Sequence, residues 1–493
     1  MAAPSPADPE KASRVQSCEN AAKNLASDAI ELVNWDGEDD PSNPCNWPAR
    51  WKWGNVCLIS MITIITPLAS SMFAPAVPDM MKEFRDDSSA MASLVVSVYV
   101  IGFALGPLIC APLSELYGRL YVYHVSNGLF LVFTVGCALS TQTGMFVAFR
   151  LLAGCVGGTP MVLGGGSIAD IIPPERRGAA MTLWGVGQLF GPVIGPVGGG
   201  FLNEAAGWRW IFWVILIFGG VIAALGFLFM RETYAPVLLT RKAKQLRQMT
   251  GDNRYQSQHE IDHQSVSMVL RGALFRPLRM LFTKPILFIL SVDVSIVYGY
   301  LYLVFTTLTF VYKNLYGFSS GIAGLTFLGI GIGMFIGLVS VGVVSDKIAA
   351  RRQRLRELKP EDRLPLLVPG AFLIPVGLFW YGWALENHAF WLVPLLGMGV
   401  FGAGIIATFV PIQMYLIDTF HDHAASALAG LAIMRSAVGA TLPLAGGHMY
   451  ETLGHGWGNS LLGFIALALT PIPFLFMRYG ERLRTGQSGE YRN

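Results

Sequence analysis

The stretch Ala111-Pro-Leu-Ser-Glu115-Leu-Tyr-Gly118-Arg119 decides how the rest of this chain is read. Apolar runs wall it on both sides, at 93–113 and 121–140. About 20 mostly apolar residues are what a bilayer crossing requires, so the stretch reads as a tight turn between two membrane helices. Its pattern returns far down the chain as Gly342-Val-Val-Ser-Asp346-Lys347, followed by Arg351 and Arg352. In both copies an acid stands four positions after a small residue, with Arg just beyond. Each copy begins about 60 residues into its half of the chain, which is the mark of an internal duplication.

The same hydropathy window, moved outward, predicts spans near 54–74, 93–113, 121–140, 146–168, 179–201 and 210–230. Six more follow near 286–311, 321–344, 366–385, 390–416, 425–447 and 458–477. The expected fold is an all-α membrane protein with twelve transmembrane helices in two pseudo-symmetric six-helix bundles. The expected organisation is a tail at 1–50, a first bundle at 51–230, a linker at 231–284, a second bundle at 285–478 and a tail at 479–493. Paired bundles of this kind build transporters, with the binding site at their interface near the midplane.

Composition agrees. Of 493 residues, 53% are hydrophobic and only 14% charged, against about 25% charged in a soluble protein, so the apolar excess must face lipid. A net charge of +3 gives no electrostatic case for nucleic acid. Six Cys without a CxxC pair argue against a zinc site or a disulfide framework. The first 50 residues lack the basic and apolar regions of a cleavable signal, so the first span is expected to direct its own insertion. Placing both tails, the linker, the 345–364 loop and the turns at Arg119 and Arg176 on one side gathers 29 of the 35 Lys and Arg there. By the positive-inside rule that side is the cytosol, so both termini are expected there.

The fifth span carries Gly187-x3-Gly191-Pro192-x2-Gly195-Pro196-x2-Gly199-Gly200. Small residues four apart share one helix face and admit a neighbouring backbone, and the prolines bend the helix. A thin, bent helix suits a hinge between bundles; simple packing is the alternative.

This pattern resembles the antiporter signature of the major facilitator superfamily, in particular its fungal twelve-helix drug:proton antiporter-like exporters. The Ala111–Arg119 turn is similar to the superfamily's inter-helix turn, with Leu120 where a second basic residue is usual. Phe149-Arg150-Leu-Leu-Ala-Gly154 resembles a third signature, whose arginine is implicated in proton coupling. Asn46-Trp47-Pro48, Arg231-Glu232-Thr233-Tyr234 and Arg435-Ser436 are also similar to these exporters. The resemblance covers about residues 40–480. It implies a major facilitator fold working as a monomer, and export of small organic molecules in exchange for protons.

Ionisable groups inside a membrane are expensive and point to function. Arg150, Asp293 and Arg435 are therefore the proton-coupling candidates, with Asp293 able to carry the proton and Arg435 able to offset it or an anionic substrate. Tyr298 and Tyr302, four apart on span seven, share a face and with Gln188 and Gln413 are the substrate-binding candidates. An aromatic cavity with few polar groups suits hydrophobic or amphipathic molecules. Glu115, Gly118, Arg119 and Asp346, with Gly187, Gly191, Pro192, Gly195 and Pro196, are the gating candidates. Charges at helix ends can pair or meet a helix dipole and so latch one side shut, or they can simply set topology.

Gly397-Met-Gly399-Val-Phe-Gly402 matches a dinucleotide fingerprint but lies inside a span without a preceding strand. There is no P-loop, no HExxH and no nucleophile paired with a base. No catalytic, metal or cofactor role is expected; the partners are a small-molecule substrate, protons and the lipid bilayer. The expected function is export of drugs, toxins or secondary metabolites by alternating access. The alternative is a proton symporter or facilitator importing a nutrient or polyamine. The cell membrane is the expected location, and a vacuolar or vesicle membrane fits the same topology.

Overall fold

The structure, a computed structural model, describes residues 31–487 apart from 174–176, 262–265, 354–359 and 421–422. The first half contains α1 (Ala49–Ser71), α2 (Ser89–Tyr117), α3 (Arg119–Ala138), α4 (Thr143–Gly157 continued by Thr159–Ile171), α5 (Arg177–Ala206) and α6 (Arg209–Phe229). The second contains α7 (Pro285–Tyr316), α8 (Ser320–Leu325 continued by Phe327–Gln353), α9 (Leu367–Glu386) and α10 (Leu392–Phe420). A last apolar helix, Ala424–Leu469, is broken at Gly454, whose φ of 70° is left-handed. The break divides α11 (424–453) from α12 (455–469, continued by Pro471–Gln487). Beyond it the Glu386 carboxylate accepts from the Gly456 amide at 2.9 Å and caps the new helix start.

Among the described residues ten segments are long and apolar enough to cross a membrane. The last of them, Ser426–Arg482, holds both α11 and α12. Helix α5, diluted by its glycines and prolines, is the remaining pass, so the chain is a multi-pass membrane protein of twelve spans. Helices run past the apolar windows read from the sequence: α5 begins at Arg177 and α8 continues to Gln353. Hydropathy marks the part in lipid, whereas helix ends are set by capping and chain direction.

Burial sorts the spans into layers. The apolar core of the α1 segment is 72% buried and those of α7 and α10 are each 67% buried, whereas α3 and α6 are 33% buried. The outer helices present large apolar side chains such as Ile217, Val221 and Phe227 to the lipid. Pairings repeat with a shift of six: α1–α5 matches α7–α11, α2–α4 matches α8–α10, and α3–α4 matches α9–α10. The two halves meet through α2–α11 and α5–α8, which exchange under the same shift. That exchange is what a twofold repeat demands.

On the face that carries residues 31–48, Ala235–Thr250 and Val266–Thr283 form the helical part of the linker. We call this the linker face.

Candidate functional site

Arg150 on α4 is buried to 1% exposure and does not snorkel to the surface. Helix α1 ends at Ser71, so its last carbonyls have no helical partner. The Arg150 guanidinium supplies them: Nη1 donates to the Ala69 carbonyl at 2.8 Å and Nη2 to the Ser70 carbonyl at 3.0 Å. Nε donates to the Val95 carbonyl on α2 at 3.3 Å. Its flat face lies 4.5 Å from the Tyr99 ring centroid and 5.8 Å from that of Phe73. Arg150 thus ties α1, α2 and α4 together, with a cation placed at the negative end of the α1 dipole.

Ser70, whose carbonyl takes that bond, reaches into the other half. Its hydroxyl lies 3.1 Å from the Tyr302 hydroxyl on α7. Tyr302 and Tyr298 share a face as the four-residue spacing predicts, their rings 5.0 Å apart. Arg435 on α11 stacks over Tyr298 and over Phe409 of α10, each at 5.0 Å. A continuous chain, Arg150–Ser70–Tyr302–Tyr298–Arg435, therefore joins the two intramembrane arginines across the half interface. Gln413, half-buried, lies one turn from Phe409 on the same face of α10. Gln188 on α5 is half-buried beside Gly187. Neither glutamine makes a hydrogen bond among the described residues. Sequence reasoning missed Ser70 and Phe409, which look like ordinary span residues until the halves are docked.

Asp293 stands elsewhere. Five residues along a helix turn through about 500°, so Asp293 faces about 140° away from Tyr298. It is buried inside the second half, beside Tyr300, Ile374, Thr408 and Thr470. It makes no ion pair with Arg435 among the described residues, so the mutual offset expected from the sequence is not formed.

The glycine face of α5 packs within its own half. Gly187 meets Ile64, Gly191 meets Pro67 and Gly195 meets Ser71, all on α1. The face rotated from it carries the half interface, where the Pro196 carbonyl sits against Gly324 of α8. Pro192 lies on α5 between these contacts. The signature thus places α5 between α1 of its own half and α8 of the other.

Opposite the linker face, polar groups cross between halves. Asp79 accepts from Asn203 Nδ2 at 2.6 Å and from Ser320 Oγ at 3.2 Å, and Lys313 Nζ is 3.5 Å away. Glu204 accepts from the Gly321 amide at 3.0 Å and from Ser319 Oγ at 3.1 Å. These bonds close that face.

On the linker face the charges pair within the first half. Arg119 lies 3.5 Å from Asp170, donates to Ser114 Oγ at 2.6 Å and stacks 4.8 Å from the Tyr234 ring. Glu115 makes no ion pair with it among the described residues. Asp170, near the end of α4, is the partner. The Asp346 side chain lies outside the described residues. Glu232, buried to 4% exposure, accepts from four amides: Arg119 at 3.0 Å, Leu120 at 3.2 Å, Thr233 at 3.0 Å and Tyr234 at 2.9 Å. Its carboxylate fills the space beside Gly118, whose φ of 99° no side chain would favour. Glu232 thereby caps α3 and the linker together. Glu232→Ala would orphan these donors, each costing about 1–3 kcal/mol. A clear fall in the melting temperature of the purified protein is expected; an unchanged melting curve would remove the cap role.

A strap precedes α1. Glu31–Leu32 pairs in parallel with Tyr255–Gln256. Lys242 Nζ lies 2.7 Å from Asp36 and 3.3 Å from Asp40. The backbone amides of Asp36 and Ser42 hold the Asp40 carboxyl down at about 2 against an opposing push from burial, with smaller contributions from the Ser42 hydroxyl and Lys242. A carboxylate depressed in the folded state stabilises it fully above its ordinary pKa near 3.8 and loses that effect as pH falls through about 2. Proteolysis of the strap should accordingly stay slow down to about pH 4 and rise below it. Equal cleavage at pH 5 and pH 2.5, assayed with an acid-active protease, would count against this.

Two pseudo-symmetric six-helix halves, with intramembrane arginines and aromatic rings joined across their interface, define a membrane transporter. The chain belongs to the Major Facilitator Superfamily, whose family model matches residues 59–443. It is 50% identical over 490 residues to the MFS-type transporter tndD of Aspergillus flavipes, covering 98% of this chain and 90% of that one. It is 49% identical over 457 residues to the efflux pump radE of Floropilus chiversii, covering 92% and 85%. The fold is similar to the crystal structure of a D-xylose-proton symporter, with a TM-score of 0.65, 19% identity, and 86% and 97% of the two chains covered. Members of this family move small molecules and are not enzymes.

Proposed function

We propose that this transporter exports small organic molecules, such as drugs, toxins or secondary metabolites, in exchange for protons by alternating access. The observation that carries the reading is the chain of contacts from Arg150 to Arg435 across the half interface. A relative that is 49% identical and named an efflux pump favours the outward direction. The Gly-Pro pattern of α5 resembles the antiporter signature and favours exchange. Both termini and the linker face are assigned to the cytosol on the basic-residue asymmetry, and the cell membrane to the protein's location. The halves taken as moving against each other are 51–230 and 285–478.

The half-buried groups Tyr298, Phe409, Gln413 and Gln188 form the proposed substrate wall. Aromatic faces bind apolar rings, and the amides supply hydrogen bonds. Arg435, already stacked on two of these rings, favours cargo with a carbonyl, phenolate or carboxylate group. Arg150 is assigned to coupling through Ser70, since any displacement of Tyr302 by cargo is felt at the end of α1.

Asp293 is the proposed proton carrier. It is a buried intramembrane carboxyl, a group that is costly to keep in a span and marks a proton path, and reaching the cytosolic side of α7 would release the proton. Asp293→Asn should lose pH-driven flux and keep substrate binding; full proton-driven flux in this variant would overturn the assignment. One proton falling through 100 mV and one pH unit releases about 3.7 kcal/mol, enough for a gradient of several hundredfold in a neutral substrate.

Efflux from cells lacking their own exporters tests the whole reading, with a panel of hydrophobic drugs and fungal metabolites and with or without a protonophore. Faster loss of a compound, abolished by the protonophore, is expected. Greater accumulation would instead mean import. In the same assay Arg119→Ala is expected to abolish efflux while surface expression is retained, because the Asp170 latch and the Tyr234 stack go together. Near-normal efflux in that variant would remove the latch role.

A further inference from the structure

The linker helix Val266–Thr283 leads directly into α7 through Lys284 and packs on α2, α7 and α11. Its last turns divide into three sectors when drawn at 100° per residue. Pro277, Met280 and Leu281 are buried, Met280 and Leu281 joining the core that also holds Ile286 and Leu287 of α7. Pro277 and Leu281 lie against Gly430 of α11.

A second sector, spanning about 100°, holds Leu274, Phe275, Leu278 and Phe282. It is exposed, with Phe275 at 62% and Phe282 at 71%. Between the two lies a third sector with exposed Arg276, Arg279 and Thr283. Neither arginine makes an ion pair among the described residues. A helix turning large apolar groups outward beside a basic stripe is unstable in water alone. It is the chemistry of a helix lying in the interface, with the apolar sector among acyl chains and the arginines level with phosphates.

We propose that Val266–Thr283 binds anionic phospholipid on the linker side of the bilayer, the acyl chains meeting Phe275, Leu278 and Phe282 and the headgroup phosphate meeting Arg276 and Arg279. Two further features favour a lipid over a protein partner. The basic and apolar sectors adjoin along the helix, as headgroups and acyl chains do at the edge of a bilayer. The buried sector, Pro277, Met280 and Leu281, is anchored on the second half, which fixes the helix at the depth where α7 enters the membrane. Phe282 also lies against Phe288 of α7, their rings 6.1 Å apart. Lipid drawn to the arginines therefore bears on the start of the helix that carries Tyr298 and Tyr302. The inference rests on the proposed topology only for the leaflet concerned, and it does not require the cargo or the proton to be as proposed.

The test is lipid retention by the full-length protein, taken from nanodiscs of phosphatidylcholine with or without phosphatidylserine and read by native mass spectrometry. Nanodiscs present both leaflets, so a wrong topology would not hide the binding. Phosphatidylserine should be retained by the parent and held roughly thirtyfold more weakly by Arg276→Gln/Arg279→Gln, the loss expected for two basic groups at an anionic surface. Arg241→Gln/Lys244→Gln, on the other linker helix, should retain it as the parent does. Inorganic phosphate should not displace the lipid, whereas Phe282→Ser should weaken it. Equal phosphatidylserine retention by the parent and the Arg276/Arg279 variant would overturn the proposal, and so would displacement by phosphate alone. The melting temperature of each variant in phosphatidylcholine identifies one that has failed to fold, and Arg276→Lys/Arg279→Lys, which keeps the charge, should restore retention.

Discussion

Arg150→Lys is expected to cut transport about a hundredfold, although the charge is kept. The guanidinium holds three carbonyls on two helices at once, those of Ala69, Ser70 and Val95. A lysine ammonium is a point donor on a flexible stem and cannot span that fork. Losing even two charge-assisted bonds costs about 3 kcal/mol or more, enough for the expected effect at roughly 1.4 kcal/mol per tenfold. The end of α1 would then no longer hold Ser70 against Tyr302, and the link between halves would be broken. Arg150→Ala should abolish flux altogether. The measurement is protonophore-sensitive efflux per molecule at the surface. Lysine supporting more than about a third of parental flux would show that charge alone suffices.

Gly324→Trp is expected to stop transport by a different route, leaving the face opposite the linker open. Even a Cβ at this position would strike the Pro196 carbonyl of α5. A tryptophan has nowhere to go unless α5 and α8 separate, and separation also pulls Ser320 and Gly321 away from Asp79, Asn203 and Glu204. Each 1.4 kcal/mol of lost closure shifts the open-to-closed ratio tenfold. A cysteine placed at Val193, which packs on Gly331 of α8, reports the change. Its labelling by an impermeant maleimide added outside should rise at least about tenfold in the Gly324→Trp background. Unchanged labelling with normal efflux would mean that this contact does not have to open.

The two halves were legible because duplication leaves traces that need no contact information. The turn at Glu115 and its echo at Asp346 gave the period, and the apolar windows gave the passes. The shared face of Tyr298 and Tyr302 followed from helix spacing alone. What could not be read is what depends on docking between helices. Ser70 and Phe409 carry no sequence mark, since a serine and a phenylalanine in a span are unremarkable. Asp293 and Arg435 were candidates for each other because both are charged and intramembrane, yet helix phase turns Asp293 into the second half. Asp170 and Glu232 show the same limit on the linker face. A charge at a helix end has no visible partner until the chain returns more than fifty residues later.

The strap before α1 has a bearing on how the protein is made. Glu31 and Leu32 are made before any of the helices, and their partners Tyr255 and Gln256 are made more than two hundred residues later. At typical synthesis rates that is a wait of roughly 10 to 45 s, during which six helices enter the membrane. The acidic groups Asp36 and Asp40 must wait equally long for Lys242. The first half is therefore finished from outside itself, by a strand and a lysine that lie beyond its last helix. A chain cut at residue 230 would contain all six helices of that half and still lack the clasp that holds down the strap before α1.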